Sequence, residues 1–105
     1  LPQSMTHLTF GSYFGNNFNQ NVIQLPQSMT HLTFGSYFNK NVNQLPQTIT
    51  HLTFGYYFNQ QCNLSNKIVY LKLNCNNKYL IDNLPNSIKE LELGDLFDLK
   101  LNSHL

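Results

Sequence analysis

The sequence contains no tryptophan and no arginine, and charged residues make up only 10% of it. Its formal net charge is +1, and its six lysines form no dense basic run. Nucleic-acid binding requires many basic side chains to neutralise phosphates, so the composition argues against a nucleic-acid partner. No apolar run approaches the roughly 20 residues that cross a bilayer, so no membrane-spanning helix is predicted.

Cysteine is also scarce, since Cys62 and Cys75 are its only two occurrences. Two cysteines are too few for a disulfide framework. Reduced thiols in a cytoplasmic protein are the simpler interpretation. Polarity comes from sixteen asparagines and eight glutamines instead of from charges.

One segment, repeated five times, fills the chain. Its copies are LPQSMTHLTFG twice, LPQTITHLTFG, LSNKIVYLKLN and LPNSIKELELG, at residues 1–11, 25–35, 45–55, 64–74 and 84–94. Because the sequence opens at Leu1 and not at a methionine, we expect it to be a fragment of a longer chain. We predict a single domain over residues 1–105, with repeats at 1–24, 25–44, 45–63, 64–83 and 84–103.

Each copy has the spacing of a short strand between two corners. In the second copy, Met29, Leu32 and Phe34 follow the pattern L-x-x-L-x-L. Leu32 and Phe34 are two residues apart, so both point to one face of a strand while their neighbours point to the other. Pro26 has no amide hydrogen and marks the corner before the strand. Gly35 marks the corner after it, through either a positive φ or a close backbone approach.

A coil of about 20 residues cannot bury its own apolar side, but stacked copies can, because equivalent leucines, isoleucines and phenylalanines then form continuous columns. We therefore predict a mainly β protein, a parallel β-solenoid of leucine-rich-repeat type with five coils and little helix. The return side of each coil should be irregular, extended or a short 3₁₀ turn. Asn76 is predicted to be a buried asparagine of this return side. Cys62 belongs to an apolar column and should be buried, whereas Cys75 follows a strand and can be exposed.

The motif L-P-x-S-hydrophobic-T-H-L-T-F-G-x-x-F-N resembles the FNIP repeat, a leucine-rich-repeat relative of slime moulds and giant viruses of amoebae. The similarity is close over residues 1–19, 25–39 and 45–59, looser over residues 84–98 and weak over residues 64–78. The copies lack the Pro-Ile of the usual family repeat and have a shorter return. In giant viruses such repeats often follow an F-box, so the resemblance implies the substrate-recruiting region of an F-box-type ubiquitin-ligase adaptor. If the protein is viral, the expected location is the host cytoplasm. No F-box is visible in these 105 residues.

The outward positions of the strands and the tyrosines that follow them are the candidate binding surface. Tyrosine beside small hydroxyl side chains is a composition suited to protein recognition. The same surface can bind a glycan, or it can be a solvated face with no partner. The candidate binding residues are Thr6, His7, Thr9, Tyr13, Thr30, His31, Thr33, Tyr37, Thr50, His51, Thr53, Tyr57, Tyr70 and Glu90.

No catalytic residue, metal ligand or cofactor is predicted. His7, His31 and His51 form a column, but a straight line of side chains about 4.8 Å apart does not converge as zinc ligands must. Glu90 and Glu92 share a strand face, but no repeat pairs a nucleophile with a base. We expect a non-enzymatic interaction module. The alternative is a structural element that self-associates, because the first copy begins without a polar cap and such ends favour end-to-end stacking.

Overall fold

Five short parallel strands, one from each repeat, form a sheet in the part of the chain that the structure describes. The structure, a computed structural model, describes residues 3–10, 25–42 and 45–94. Within these ranges no helix is long and apolar enough to cross a membrane. The elements in chain order are β1 (His7–Thr9), β2 (His31–Thr33), β3 (His51–Phe54), β4 (Tyr70–Leu73), α1 (Lys78–Asp82) and β5 (Glu90–Leu93).

The strands lie in the sheet in the order in which they occur in the chain. Every neighbouring pair is parallel, and equivalent residues of successive repeats face each other: His7 pairs with His31, His31 with His51, His51 with Tyr70, and Tyr70 with Glu90. This register is expected because a one-residue slip would turn every leucine out of the core. The predicted parallel β-solenoid is confirmed.

The predicted apolar columns form the core. Leu32, Leu52 and Leu71 are at most 1% exposed, and Phe54 lies between the rings of Phe34 and Phe58, with centroids at 5.5 Å and 3.9 Å. Fully burying one such side chain contributes about 1.5–3 kcal/mol. Because each coil supplies only a few of these side chains, burial depends on the coils above and below.

The corner glycines permit close approach of neighbouring coils. A Cβ atom added to Gly55 would lie 2.4 Å from the carbonyl oxygen of Gly35. None of the described glycines has a positive φ. Of the two predicted reasons for glycine at this corner, the close backbone approach is therefore the one that the structure shows.

Hydroxyl side chains near the proline corners join each coil to the one before it. Ser28 donates its hydroxyl to the carbonyl of Met5 at 2.6 Å, and Thr48 donates to the carbonyl of Met29 at 2.6 Å. These bonds satisfy carbonyls that have no partner within their own coil. The fourth copy has Lys67 at the equivalent position, so this link is absent between its corner and the coil before it.

The return side of the fourth copy differs from the prediction. Residues 78–82 form a turn of α-helix, and Asn77, not Asn76, is the buried asparagine. The Asn77 side chain accepts from the Leu80 amide at 3.2 Å and donates to the Gln60 carbonyl at 3.0 Å. An N-cap asparagine lies just before a helix, where its side chain reaches the free amides of the first turn. Asn77 has this place, and its position in the repeat is equivalent to that of Phe38 and Phe58.

Both cysteines are buried, so the prediction for Cys62 is confirmed and the suggestion that Cys75 is exposed is wrong. Burial raises the pKa of each thiol to about 11, well above its usual value. Such thiols are poor nucleophiles, because only the thiolate form is reactive. Several predicted core residues lie outside the described ranges: Leu1, Phe14, Phe18, Val22, Phe97 and Leu101.

Candidate functional site

The side chains that alternate with the core leucines form one continuous surface, here called the outward face. On β2 and β3, Leu32 and Leu52 are buried while the histidine and threonine on either side are half-buried. The strands therefore present their polar residues as the two-residue period predicts. Of the candidate binding residues, Tyr13 lies outside the described ranges.

Three histidines on the outward face stack ring on ring, and we call His7, His31 and His51 the histidine ladder. Their centroids are 4.0 Å and 4.1 Å apart and their planes are within 15° of parallel. Tyr70 continues the ladder at 5.7 Å from His51. The ring centroids of the histidines are therefore closer together than neighbouring strands of a sheet, which are about 4.8 Å apart.

Each ladder histidine is held by the threonine before it. The hydroxyls of Thr6, Thr30 and Thr50 lie 2.9, 2.8 and 2.8 Å from the Nδ1 atoms of the following histidines. The Thr30 hydroxyl also lies 3.2 Å from the Thr6 carbonyl of the preceding coil. These threonines thus orient the ladder, whereas Thr9, Thr33 and Thr53 lie at outward strand positions.

The ladder is not arranged as a metal site. Among the described residues, no group of three histidine, cysteine or acidic side chains has the arrangement of one. Rings stacked in nearly parallel planes direct their nitrogen lone pairs side by side, whereas zinc requires ligands that converge tetrahedrally at about 2 Å.

Exposed tyrosines follow β2 and β3, and we call Tyr37, Tyr56 and Tyr57 the tyrosine ridge. They are 45%, 53% and 52% exposed. Tyr37 and Tyr57 stack at 5.3 Å, and Tyr56 meets Tyr57 edge to face at 4.8 Å. The ring faces that meet in the stack are covered by each other, so they are not available to stack on a sugar.

The outward face becomes charged at β4 and β5. The Tyr70 hydroxyl donates to Glu92 at 2.7 Å, Lys72 forms an ion pair with Glu92 at 3.3 Å, and Glu90 is exposed beside them. Burial, the hydrogen bond to Glu92 and the charges of Glu92 and Glu90 raise the pKa of Tyr70 to about 12. The bonds from Tyr70 and Lys72 hold the pKa of Glu92 below its usual value. Sequence reasoning missed Lys72, although its strand position, equivalent to Thr33 and Thr53, signals that it faces outward.

Stability should depend on pH through the histidine ladder. Burial and the charges of His51 and His7 lower the pKa of His31 below its usual 6.5. The unfolded chain therefore takes up this proton first, and the free energy of unfolding should decrease as pH falls through 6.5. Thermal unfolding between about pH 8 and pH 5 should show a falling midpoint.

The variant His31→Gln is the matched control, because glutamine keeps a polar side chain that does not titrate. Its unfolding midpoint should fall less than that of the original protein over the same pH range. Equal pH dependence in the two proteins would contradict a role for His31.

The repeated motif and the stacked coils are both typical of a known family. The family model of the FNIP repeat matches residues 1–37, 18–57, 38–76 and 58–96, which together cover the chain from residue 1 to residue 96. The chain belongs to the FNIP repeat family. The resemblance predicted from the repeated motif is therefore confirmed. We call the coils that contain β1 to β5 the FNIP coils.

A solved structure shares this architecture. The chain is similar to CroV588, a protein of a giant virus whose crystal structure is described as a novel circular LRR protein, at 45% identity and a TM-score of 0.70. The similarity covers 90% of this chain, which spans 15% of the length of CroV588. The leucine-rich-repeat type predicted for this FNIP chain is confirmed. No curated protein matches the chain.

Proteins of the FNIP family and of the leucine-rich-repeat fold are typically non-enzymatic scaffolds. Among the described residues, the FNIP coils place the outward strand positions on one surface, which divides into an uncharged and a charged zone. The uncharged zone contains the histidine ladder, and the tyrosine ridge follows its strands β2 and β3 in the chain. The charged zone contains Tyr70, Lys72, Glu90 and Glu92.

Proposed function

We propose that this FNIP chain is a non-enzymatic module that binds a protein partner through the uncharged zone of its outward face. The observation that carries the proposal is the tyrosine ridge, since three tyrosines that are about half exposed lie together beside the strands. Tyrosine supplies a large contact area with little loss of side-chain entropy, and it is enriched at protein interfaces.

The chemistry of the zone supports a protein partner. Within β1, β2 and β3, every outward strand position holds a histidine or a threonine. Interface centres are depleted of charge, because desolvating a charged group is costly unless it is paired. An uncharged surface beside exposed aromatic rings meets that condition.

The shape of the zone also supports a partner that covers a broad area. Equivalent residues recur on neighbouring parallel strands about 4.8 Å apart, so the outward side chains lie in straight rows. The stacked rings of Tyr37 and Tyr57 lose little freedom on binding, because each already contacts the other. A preorganised surface pays less entropy on association.

A narrower form of the proposal assigns this surface to substrate recruitment in an F-box-type ubiquitin-ligase adaptor. Its support is the FNIP family alone, because in giant viruses such repeats often follow an F-box. Substrate recruitment also requires a protein partner on the outward face. The binding experiment below therefore tests the requirement that the general and the narrower proposal share.

The test is site-specific photo-crosslinking in amoebal lysate. A photo-reactive amino acid in place of Tyr57 should form a covalent adduct with one defined protein of the lysate. The same amino acid in place of Lys78, which is exposed on α1 of the return side, should not. Adducts of equal yield and identity at the two positions would overturn the proposal.

Affinity capture with two matched double variants provides the second arm. Tyr37→Ser with Tyr57→Ser should abolish capture of the crosslinked protein. Lys78→Ser with Asp82→Ser removes an exposed ion pair on the return side and should retain capture. Loss of capture in the second variant, or retention in the first, would place the contact elsewhere.

A further inference from the structure

A threonine hydroxyl determines which ring nitrogen of His31 carries the proton. A neutral imidazole has one N–H donor and one acceptor nitrogen, and a hydroxyl has a single hydrogen to donate. The Thr30 hydroxyl lies 2.8 Å from Nδ1 of His31 and 3.2 Å from the carbonyl oxygen of Thr6 in the preceding coil. Because the carbonyl can only accept, the direction in which the hydroxyl donates decides the state of the ring.

Only one of the two possible directions makes both contacts hydrogen bonds. If the hydroxyl donated to Nδ1, the oxygens of Thr30 and Thr6 would face each other at 3.2 Å without a hydrogen between them. If Nδ1–H donates to the hydroxyl, the hydroxyl donates to the carbonyl, and the two bonds strengthen each other. The Thr6 carbonyl also accepts the amides of Thr30 and His31 at 2.8 and 2.9 Å, which accounts for the longer hydroxyl contact.

The same arrangement recurs one coil later. The Thr50 hydroxyl lies 2.8 Å from Nδ1 of His51 and 3.3 Å from the Thr30 carbonyl. A proton on Nδ1 leaves Nε2 as an acceptor, since the bond made by one ring nitrogen fixes the state of the other. Among the described residues, the hydrogen bonds of His31 and His51 use Nδ1, and Nε2 lies on the ring edge, which stacking leaves uncovered.

The side chains that follow in the same register are also acceptors. Tyr70 pairs with His51, and its hydroxyl gives its only hydrogen to Glu92 at 2.7 Å, so the phenolic oxygen can only accept further bonds. Glu90 pairs with Tyr70 and is exposed, and an ionised carboxylate only accepts. We call His31, His51, Tyr70 and Glu90 the acceptor row.

We propose that the acceptor row binds an arginine-bearing segment of a partner protein. This inference rests on the proposed protein-binding function and specifies the chemistry of the partner. Arginine carries five N–H donors and no acceptor, and its planar guanidinium is weakly hydrated and stacks on aromatic rings. A segment that presented carboxylates or carbonyls to the row would leave acceptors facing acceptors, which is costly once water is excluded.

The charges on the described outward face support this choice. Its strands carry two carboxylates, Glu90 and Glu92, and one ammonium, Lys72, which forms an ion pair with Glu92 at 3.3 Å. An incoming guanidinium therefore meets no unpaired lysine on the described strands, and it meets the Glu90 carboxylate in the same row as the histidines. Opposite charges across an interface favour association and select against wrong partners.

Nitrogen-15 NMR of the 105-residue chain with labelled histidine tests the proton positions without any partner. At about pH 8 the rings are neutral, and His31 and His51 should each show a protonated Nδ1 and an unprotonated Nε2. Thr30→Val should release this preference at His31, because it removes the hydroxyl. Thr48→Val is the matched control, since it also removes a hydroxyl that donates to a carbonyl of the preceding coil, at Met29, and should leave both rings unchanged.

Titration with two synthetic peptides of equal length tests the partner chemistry. One peptide alternates glycine with arginine, and the other alternates glycine with glutamate. The arginine peptide should shift the Nε2 resonances of His31 and His51 and should bind roughly fivefold or more tightly than the glutamate peptide. Its affinity should fall roughly threefold in the Thr30→Val variant, which has the same charge, and should be retained in the Thr48→Val variant.

The outcomes separate this inference from the proposed function. A proton on Nε2 of His31 or His51 in the original chain, or equal binding of the two peptides, would overturn the acceptor row even if the photo-crosslink at Tyr57 succeeds. Equal loss of affinity in the Thr30→Val and Thr48→Val variants would overturn it too, because a general loss of structure would then explain the effect. A failed crosslink overturns the proposed function, whereas the peptide titration still decides the chemistry of the row.

Discussion

Replacing Phe54 by alanine should lower the free energy of unfolding by about 3–5 kcal/mol. Phe54 is fully buried, and its ring stacks on Phe34 and Phe58. The substitution removes the apolar contacts of the ring and leaves a cavity that spans the contact between two coils. Chemical denaturation followed by circular dichroism measures the loss.

Tyr56→Ala is the matched control, because it removes a similar ring two residues away that is 53% exposed. Surface substitutions outside special features usually change stability by no more than about 0.5 kcal/mol. The prediction fails if the two variants lose similar stability, since that would mean that the phenylalanine column contributes no more than a surface ring.

Replacing Gly55 by alanine should cost about 3 kcal/mol or more, at the upper end of the usual effect of overpacking. The added Cβ would lie 2.4 Å from the Gly35 oxygen and 2.8 Å from the Gly35 carbonyl carbon and the Ser36 Cα. All three are backbone atoms of the neighbouring coil, so no side-chain rotation relieves the contact. The cost comes from coil spacing, because no described glycine has a positive φ.

Gly94→Ala is the informative comparison for this prediction. The nearest atom to its added Cβ is the Asn74 side-chain oxygen at 2.9 Å, which can rotate away. The loss of unfolding free energy should therefore be clearly smaller at Gly94 than at Gly55. Equal losses, measured by denaturant titration, would show that the backbone contact at Gly55 is relieved by a small shift of the coils.

The predictable part of the candidate site is its polar alternation. A leucine every second residue is enough to direct His31 and Thr33 away from the core. The stacking of the histidine ladder follows from the same register, since identical residues of a repeat pair with each other. Lys72 was missed because it replaces a threonine in a divergent copy, so it joins the site by register and not by similarity of side chain.

The engaged hydroxyls were less accessible to sequence reasoning. Thr6, Thr30 and Thr50 look like members of a free polar patch, but their hydroxyls lie within hydrogen-bond distance of the ladder histidines. Whether a hydroxyl is hydrogen-bonded depends on differences of a few tenths of an ångström between donor and acceptor. The sequence pattern shows only that the threonine and the histidine are neighbours in the chain.

The sequence by itself determined the parallel solenoid, its register and the core columns. The physical reason is that a short coil with a one-sided apolar pattern is stable only against copies of itself. Tertiary structure alone decided the return side of the fourth copy, where residues 78–82 form a helical turn and both Asn77 and Cys75 are buried. It also decided that Gly35 and Gly55 are needed for a close backbone approach and not for a positive φ. That choice depends on the distance between coils about 20 residues apart in the chain. A repeat pattern specifies which residues meet, whereas the fit of the backbones specifies how closely they meet.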